Sequence, residues 1–487
     1  MIDAGFKKFE EMSKEFKMVP VYLEIEGDMD TPITLFKKLC PNKNSYLLES
    51  VEGGNKWARY SYIGRNPFMI IKSYGNKVVV EQEDQITSQT GKVLEIVKTV
   101  IDKYAMAQID GMPDFIGGAV GYIGYDVIRN YEDLKNINTD DVNMPDVHLL
   151  LTKEIIAYDH VKQKIKIIVN VPIRDDIENL YQEAVSRLQE IKKEILETKF
   201  KMEESKNKSF EKINYLSNET KEGFIKKVLQ AQEYIQNGEI RQVVLSQRFE
   251  IKTAINPFKA YRTLRSINPS PYMFYIDFGE YHLVGSSPEL LVKVKKDAVE
   301  TCPIAGTRPR GENEVEDNLL AKELLEDKKE LAEHLMLVDL SKEDISKVAK
   351  PGTVEVNPFL EIQKYSHVMH IVSNVTGEKR DDCHMYDCLM ACLPAGTVSG
   401  APKVRAMEII DELENRKRGA YAGAVGYLGF NGNMDTCITI RTLIFKNGMA
   451  YIQAGAGIVA DSNPESEYQE TLRKAKALMV TMEKTES

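Results

Sequence analysis

Glu330 and Glu333, and again Glu467 and Glu470, stand three residues apart within helical patterns. That spacing puts each pair of carboxylates on one helix face. The first segment, Leu324 to His334, also carries Glu326, and Glu326, Glu330 and Glu333 follow i, i+4, i+7. The second opens at Asp461-Ser462-Asn463-Pro464, where Asn463 suits an N-cap and Pro464 the first helical position. Lys474 follows Glu470 by four. The preceding Ala454-Gly455-Ala456-Gly457-Ile458-Val459 reads as a loop whose exposed amides could hold a carboxylate. Either helix alone also reads as a solvated face with Glu–Lys pairs. If the two faces meet, their carboxylates repel unless a cation joins them. Oxygen-only ligation completed by water points to Mg²⁺.

Several elements must position these groups. An amphipathic helix is expected over 1–18 from Phe6, Phe9, Met12 and Phe16, then short strands and turns over 20–80 and a helix over 91–105. A charged helix covers 176–198. The Lys-, Glu-, Ser- and Asn-rich stretch 199–216 has little apolar periodicity and marks the domain boundary. A helix follows over 219–236, with Phe224, Val228 and Ile235 inward and Gly238 as its stop, and then an alternating strand over 242–249. Residues 117–126 (GGAVGYIGYD) and 422–431 (AGAVGYLGFN) share six of ten positions. The echo arises by chance or marks equivalent strands in related sheets.

With 487 residues the chain can bury a large core without staples. Its 64 Lys+Arg against 74 Asp+Glu oppose nucleic acid as the main partner but not a small anion at a local site. The N-terminus lacks an apolar targeting core, and no run approaches the length of a spanning helix. Six cysteines form no disulfide framework. Cys383, His384, Cys388 and Cys392 lack a zinc knuckle, so buried thiols in a reducing cytoplasm are expected.

A set of motifs in order turns pattern into resemblance: Gly285-Ser286-Ser287-Pro288-Glu289, Cys302 to Gly311 (CPIAGTRPRG), Glu333 to Leu340, His367-Val368-Met369-His370, Gly396 to Lys403 (GTVSGAPK), Ile440-Arg441-Thr442 and Gly455 to Lys474. Together these resemble the chorismate-utilising enzymes, nearest to the large subunits that make anthranilate, from Pro20 to Lys474. The resemblance implies an α+β fold of two large, mostly antiparallel sheets flanked by helices, an αββα sandwich. It implies Mg²⁺ on Glu333 and Glu470, supported by Glu330 and Glu467. Gly306, Thr307, Thr397, Tyr421, Arg441, the Gly455, Ala456 and Gly457 amides and Lys474 would surround the substrate. Glu289 would act as general acid on the C4 hydroxyl, and His370 would serve proton removal and pyruvate loss.

Three positions discriminate within the family. Family members that add water typically carry a Lys base where this chain has Gln242, so Gln242 marks amination. Aminodeoxychorismate synthases often carry a nucleophilic Lys where this chain has Ala305, so direct attack of ammonia at C2 and release of anthranilate are expected; aminodeoxychorismate synthesis is the alternative. Leu47 to Ser50 and Asn268 to Phe274 resemble a tryptophan-feedback pocket, with Glu49, Ser50, Pro271, Tyr272 and Met273 as contacts. The expected division is a regulatory portion over 1–200 whose strands enter the core, a linker over 201–217 and a catalytic portion over 218–487. One departure stands out: Ser341-Lys342-Glu343-Asp344 replaces the usual Gly/Ala-Arg-Asn-Asp. No cysteine has the glycine-flanked setting of an amidotransferase nucleophile, so a separate glutamine amidotransferase subunit is expected to supply ammonia.

Overall fold

Alternation along single strands sets the layering. In Met18–Glu26, Met18 and Tyr22 join one buried cluster while Val19, Val21 and Leu23 join another. In Ser45–Glu49, Tyr46 joins the first and Leu47 the second. Such a strand is covered on both faces. The computed structural model describes residues 5–50, 59–83, 85–135, 138–199, 213–365 and 368–486. Two large sheets, of twelve and eleven strands among the described residues, pack against each other through the first cluster. Antiparallel pairing runs through both. Helices including Ile177–Glu197, Pro257–Ile267 and Pro464–Glu486 cover the outer face of the first sheet through the second cluster. The expected α+β architecture is the observed one.

Strands from 18–172 enter both sheets, and a small third sheet joins Ile304–Pro309, Glu361–Lys364 and Val368–Val372. The two echo segments are neighbours: Gly118–Ile123 pairs with Ala424–Gly429, with Gly121 opposite Gly426. They share one sheet rather than taking equivalent places in two related ones. A Cβ on Gly121 would lie 1.9 Å from the His148 carbonyl oxygen, and one on Gly426 2.0 Å from that of Asp435. Close backbone approach therefore accounts for glycine at both positions.

Local expectations needed adjusting at element ends. The first helix is Phe6–Ser13, because by Met18 the chain is already a strand. The 91–105 helix is Val93–Ile101 plus a 3₁₀ turn. Lys221–Gln236 is capped by the Thr220 hydroxyl, and Gly238 follows with φ +77°. Residues 201–212 of the expected linker lie outside the described residues, and Leu216–Ser217 pairs as a strand with Phe249 and Glu250. Among the described residues no helix is long and apolar enough to cross a membrane. Cys388 and Cys392 are buried in the helix Met385–Cys392, and burial pushes the Cys388 thiol up to about 12. In the departing stretch, Asp344 is buried between Lys347 (2.8 Å) and Lys403 (2.9 Å), so it ties its helix to the GTVSGAPK segment.

Candidate active site

The expected helix through Leu324–His334 is broken. Glu314–Glu326 ends at Asp327, whose side chain accepts hydrogen bonds from the Lys329 and Glu330 amides and starts a new helix, Lys328–Ser346. Glu326 therefore does not share a face with Glu330 and Glu333. Asp327 is itself held by Arg308 at 2.8 Å. The second carboxylate helix is Pro464–Glu486, with Asn463 accepting from the Ser466 amide as an N-cap.

Glu330, Glu333, Glu467 and Glu470 are electrostatic neighbours across the two helices. Burial, then the charges of other carboxylates, raises Glu330 and Glu333 above the ordinary range; Glu467 rises for the same reasons, with Glu470 among the charges it feels. Burial would also raise Glu470, but Lys474 and Arg473 outweigh it. Arg473 lies 2.8 Å and Lys474 3.2 Å from the Glu470 carboxylate. Among the described residues no three His, Cys, Asp or Glu side chains gather closely enough to enclose a metal ion by themselves. The donor set fits a hard cation held by one or two carboxylates and completed by water and ligand oxygen, which is how Mg²⁺ is usually bound.

The Gly455–Gly457 segment is strand, not loop. It ends Met449–Ile458, which pairs with Gln242–Lys252. Val244 and Ser246 turn their own amides toward the Ser399 carbonyl and the Glu414 carboxylate. Their partners Gly457 and Gly455 therefore sit in non-hydrogen-bonded pairs, with amides facing away from that ladder. The neighbouring strand on that side, Thr442–Lys446, pairs only as far as Ile452. Two amides thus point to a strand edge that no neighbouring strand pairs among the described residues, while Ala456 spends its amide on the ladder. A Cβ on Gly457 would lie 2.8 Å from Gln242 Nε2, and one on Gly455 2.9 Å from the Tyr421 hydroxyl. Gln242 Oε1 is buried with no hydrogen-bond partner among the described residues. Lys474 Nζ donates to the Gly455 carbonyl at 3.1 Å.

His370 is aimed by a bulge. Ala305 pairs with Ile371 and Arg308 with Met369, so Gly306 and Thr307 together oppose His370. Gly306 takes φ +67°, the conformation such a bulge needs. Its carbonyl lies 2.7 Å from His370 Nδ1, and a carbonyl can only accept, so Nδ1 carries the proton and Nε2 keeps its lone pair. Burial holds the imidazole below its ordinary range, and Arg441 adds to this. His367 lies outside the described residues.

Glu289 sits between Tyr281–Ser287 and Leu290–Lys295. Burial raises its carboxyl to about 7 against the lowering influence of Thr397, Lys474 and Arg441. Arg441, at φ +52°, is lowered by burial and feels Tyr421, Glu470 and Glu289. Among the described residues its guanidinium has no ion pair and no hydrogen-bonded partner. The residues singled out from sequence thus converge: Gln242 meets Gly457, Gly455 meets Tyr421 and Lys474, and Arg441 links Tyr421, Glu289, Glu470 and His370.

The remaining segments line a separate cavity of about 490 Å³ between the two sheets, bounded by Ser50, Pro271 and Tyr272 on one side and Val425, Tyr427 and Asp435 on the other. Ser50 Oγ is buried without a partner among the described residues, and the Tyr272 hydroxyl donates to Asp435 at 3.0 Å. The Glu49 carboxylate turns away, accepting from Tyr261 at 2.5 Å and Arg265 at 3.1 Å. With alternation, only the Glu49 and Met273 backbones face the cavity. Sequence reading missed the second wall. Its one signal was the 422–431 echo, which contains Val425 and Tyr427.

Residues 45–480 match the family model described as chorismate binding enzyme. The chain is 54% identical to anthranilate synthase component 1 of Acetivibrio thermocellus over 97% of each chain. It is 45% identical to the Aquifex aeolicus protein of that name, covering 99% of this chain and 98% of that one. The crystal structure of anthranilate synthase component I from Streptococcus pneumoniae superposes with a TM-score of 0.76 at 38% identity, over 93% of this chain and 98% of that chain.

Proposed function

The chain belongs to the chorismate-binding enzyme family, and from that membership we propose that it aminates chorismate at C2 and eliminates pyruvate to give anthranilate, the entry to tryptophan synthesis. One observation carries the reading: Arg441, a guanidinium with no ion pair among the described residues, stands beside Glu289, a buried acid whose carboxyl is raised to about 7. A dianion with a departing hydroxyl matches that pair. Arg441 can grip one substrate carboxylate with two parallel bonds, and the Gly455 and Gly457 amides can hold acceptor oxygens beside it. Glu289 gives its proton to the C4 hydroxyl, which leaves as water. Gln242 Oε1 accepts an N–H of the incoming ammonia and orients it toward C2. His370 Nε2 then takes the C2 proton as the enolpyruvyl group departs and the ring becomes aromatic. Glu333 and Glu470 would hold Mg²⁺, with Glu330 and Glu467 around them; when bound, it supplies positive charge that offsets these carboxylates and draws a substrate carboxylate in. Aminodeoxychorismate as the product is disfavoured by Ala305, which offers no nucleophile, and by the relatives' names.

The deciding assay incubates the chain with chorismate, Mg²⁺ and ammonium and follows fluorescent anthranilate and pyruvate. Absence of both overturns the reading. The acid assignment has a signed pH consequence. Glu289 carries its proton below a pH of about 7 and loses it above. At constant free ammonia, kcat/KM should therefore fall about tenfold per pH unit on the alkaline side, and Glu289→Gln should remove this limb along with about 10²–10⁴-fold of rate. A limb that survives in Glu289→Gln assigns it to another group.

The intersheet cavity is large enough for tryptophan, and its partnerless Ser50 hydroxyl and aromatic wall suit that effector. On this reading the portion before residue 200 contributes Ser50 to a feedback cavity whose other walls come from the portion after 217, and the latter carries the chemistry. Ser50→Phe should leave kcat within about twofold while raising the tryptophan concentration for half-inhibition by about 30–100-fold, the scale of 2–3 kcal/mol of overpacking. Unchanged inhibition moves the effector elsewhere. Ammonia in vivo would come from a glutamine amidotransferase subunit, since no cysteine of this chain has the setting of that nucleophile.

A further inference from the structure

Arg418 touches none of the residues that would hold substrate with a hydrogen bond, yet it is wired to three segments that carry them. Its side chain is 1% exposed. Nη1 donates to the Val398 carbonyl at 2.6 Å and Nη2 to the Val244 carbonyl at 2.7 Å. Nε and Nη2 grip Glu414 at 2.9 and 2.6 Å. Glu414 Oε1 in turn accepts from the Ser246 amide and hydroxyl, both at 2.8 Å. The guanidinium also lies over the Tyr421 ring, 5.6 Å from its centroid, and over Tyr125 at 4.8 Å.

These contacts join parts with different tasks. Val398 follows Thr397, which lines the same cleft as Glu289. Val244 and Ser246 pair with Gly457 and Gly455, whose amides face the site. The Tyr421 hydroxyl approaches Gly455. A single planar cation with four of its five donors committed holds these groups in register, and burial without those acceptors would be costly.

We propose that Arg418, locked by Glu414, is a positioning residue that sets the Thr397–Glu289 acid against the Gly455–Gly457 amides. The inference rests on the reaction proposed above. Lysine at 418 can still pair with Glu414 but lacks the fork that reaches both carbonyls. The ladder between Gln242–Lys252 and Met449–Ile458 keeps the amides in place without it. The loop bearing Thr397 loses its side-chain anchor at Val398 and keeps the backbone bonds from Ser399 onward to Gln242–Lys252.

The test compares Arg418→Lys with the unmodified chain in the anthranilate assay, across pH, after circular dichroism and cooperative thermal unfolding show a folded variant. Turnover by the unmodified chain reports on the reaction itself, and only the ratio between the two reports on Arg418. A misplacement on the order of 1 Å predicts a kcat loss of about 100-fold with KM for chorismate changed by less than about threefold. Thr397, Lys474 and Arg441 all lower the Glu289 carboxyl, so withdrawal of Thr397 should move the alkaline limb to higher pH even as the rate drops. A folded Arg418→Lys with kcat within about twofold of the unmodified chain, or with its whole loss in KM and an unmoved limb, overturns the proposal. If Arg418→Lys does not fold, Glu414→Gln decides: a lower kcat with the limb displaced upward supports the proposal, and unchanged values overturn it.

Discussion

Glu470→Ala is expected to abolish turnover, with kcat/KM falling on the order of 10³-fold or more, equivalent to about 4 kcal/mol of lost transition-state stabilisation. The reason lies in charge balance. Glu330, Glu333 and Glu467 remain, and burial together with mutual repulsion already pushes their carboxyls upward. On the proposed reading Glu470 is the carboxylate through which the second helix would hold the shared cation, and without that cation the remaining acidic cluster repels a dianion. Removal of Glu470 also releases Arg473 and Lys474 from their pairings at 2.8 and 3.2 Å. Thermal unfolding should stay cooperative with a midpoint near that of the unmodified chain, because the residue sits in a like-charged cluster rather than in packed core. Titration calorimetry of Mg²⁺ without substrate should lose its signal in the variant. Full activity in Glu470→Ala, or Mg²⁺ binding equal to that of the unmodified chain, would remove Glu470 from the site.

The second large effect is a change of product. His370→Met keeps the volume and apolar packing against Tyr365, whose ring centroid lies 5.6 Å away, but has no lone pair that accepts a proton at neutral pH. The Gly306 carbonyl fixes the proton of the native imidazole on Nδ1, and burial keeps the ring neutral. Both features make Nε2 a base and neither is reproduced by methionine. Anthranilate and pyruvate formation should fall about 10²–10⁴-fold. Chorismate consumption should continue long enough for an aminated compound that retains the enolpyruvyl group to accumulate, visible by mass spectrometry of quenched mixtures. Anthranilate at the native rate, or loss of chorismate consumption in parallel with anthranilate, would assign His370 a different role.

These two residues also show what sequence could and could not reveal. Glu470 was legible because its partners are local: Glu467 and Lys474 lie within one turn, and Asn463-Pro464 announces the helix. The layering was legible in family terms and in the period of two along Met18–Glu26. The break at Asp327 was not, because an aspartate fits both a helix interior and a cap, and here Arg308 reaches it from the strand Ile304–Pro309. The Gly455–Gly457 edge read as loop for a similar reason. Small residues look loop-like until the distant Gln242–Lys252 strand pairs with them. Arg418 carried no signal at all, since its carbonyl partners at Val244 and Val398 are set by tertiary structure and leave no mark on side-chain type. The opposite wall of the intersheet cavity was hidden likewise, although the 422–431 echo contained part of it.

The pairing of Gly118–Ile123 with Ala424–Gly429 also has a meaning in time. A chain is made from its N-terminus, so the first of these strands is finished long before its neighbour exists. The other large sheet waits too, because Gln242–Lys252 needs Met449–Ile458, the last strand among the described residues. During synthesis the early strands therefore hold open hydrogen-bonding edges that no earlier segment can close. Closure over such separations carries an entropy cost that is met only when Met449–Ile458 arrives. The candidate substrate edge is thus completed only once Met449–Ile458 has been made, and a product interrupted before Met449 would be left with open strands in place of a partial enzyme.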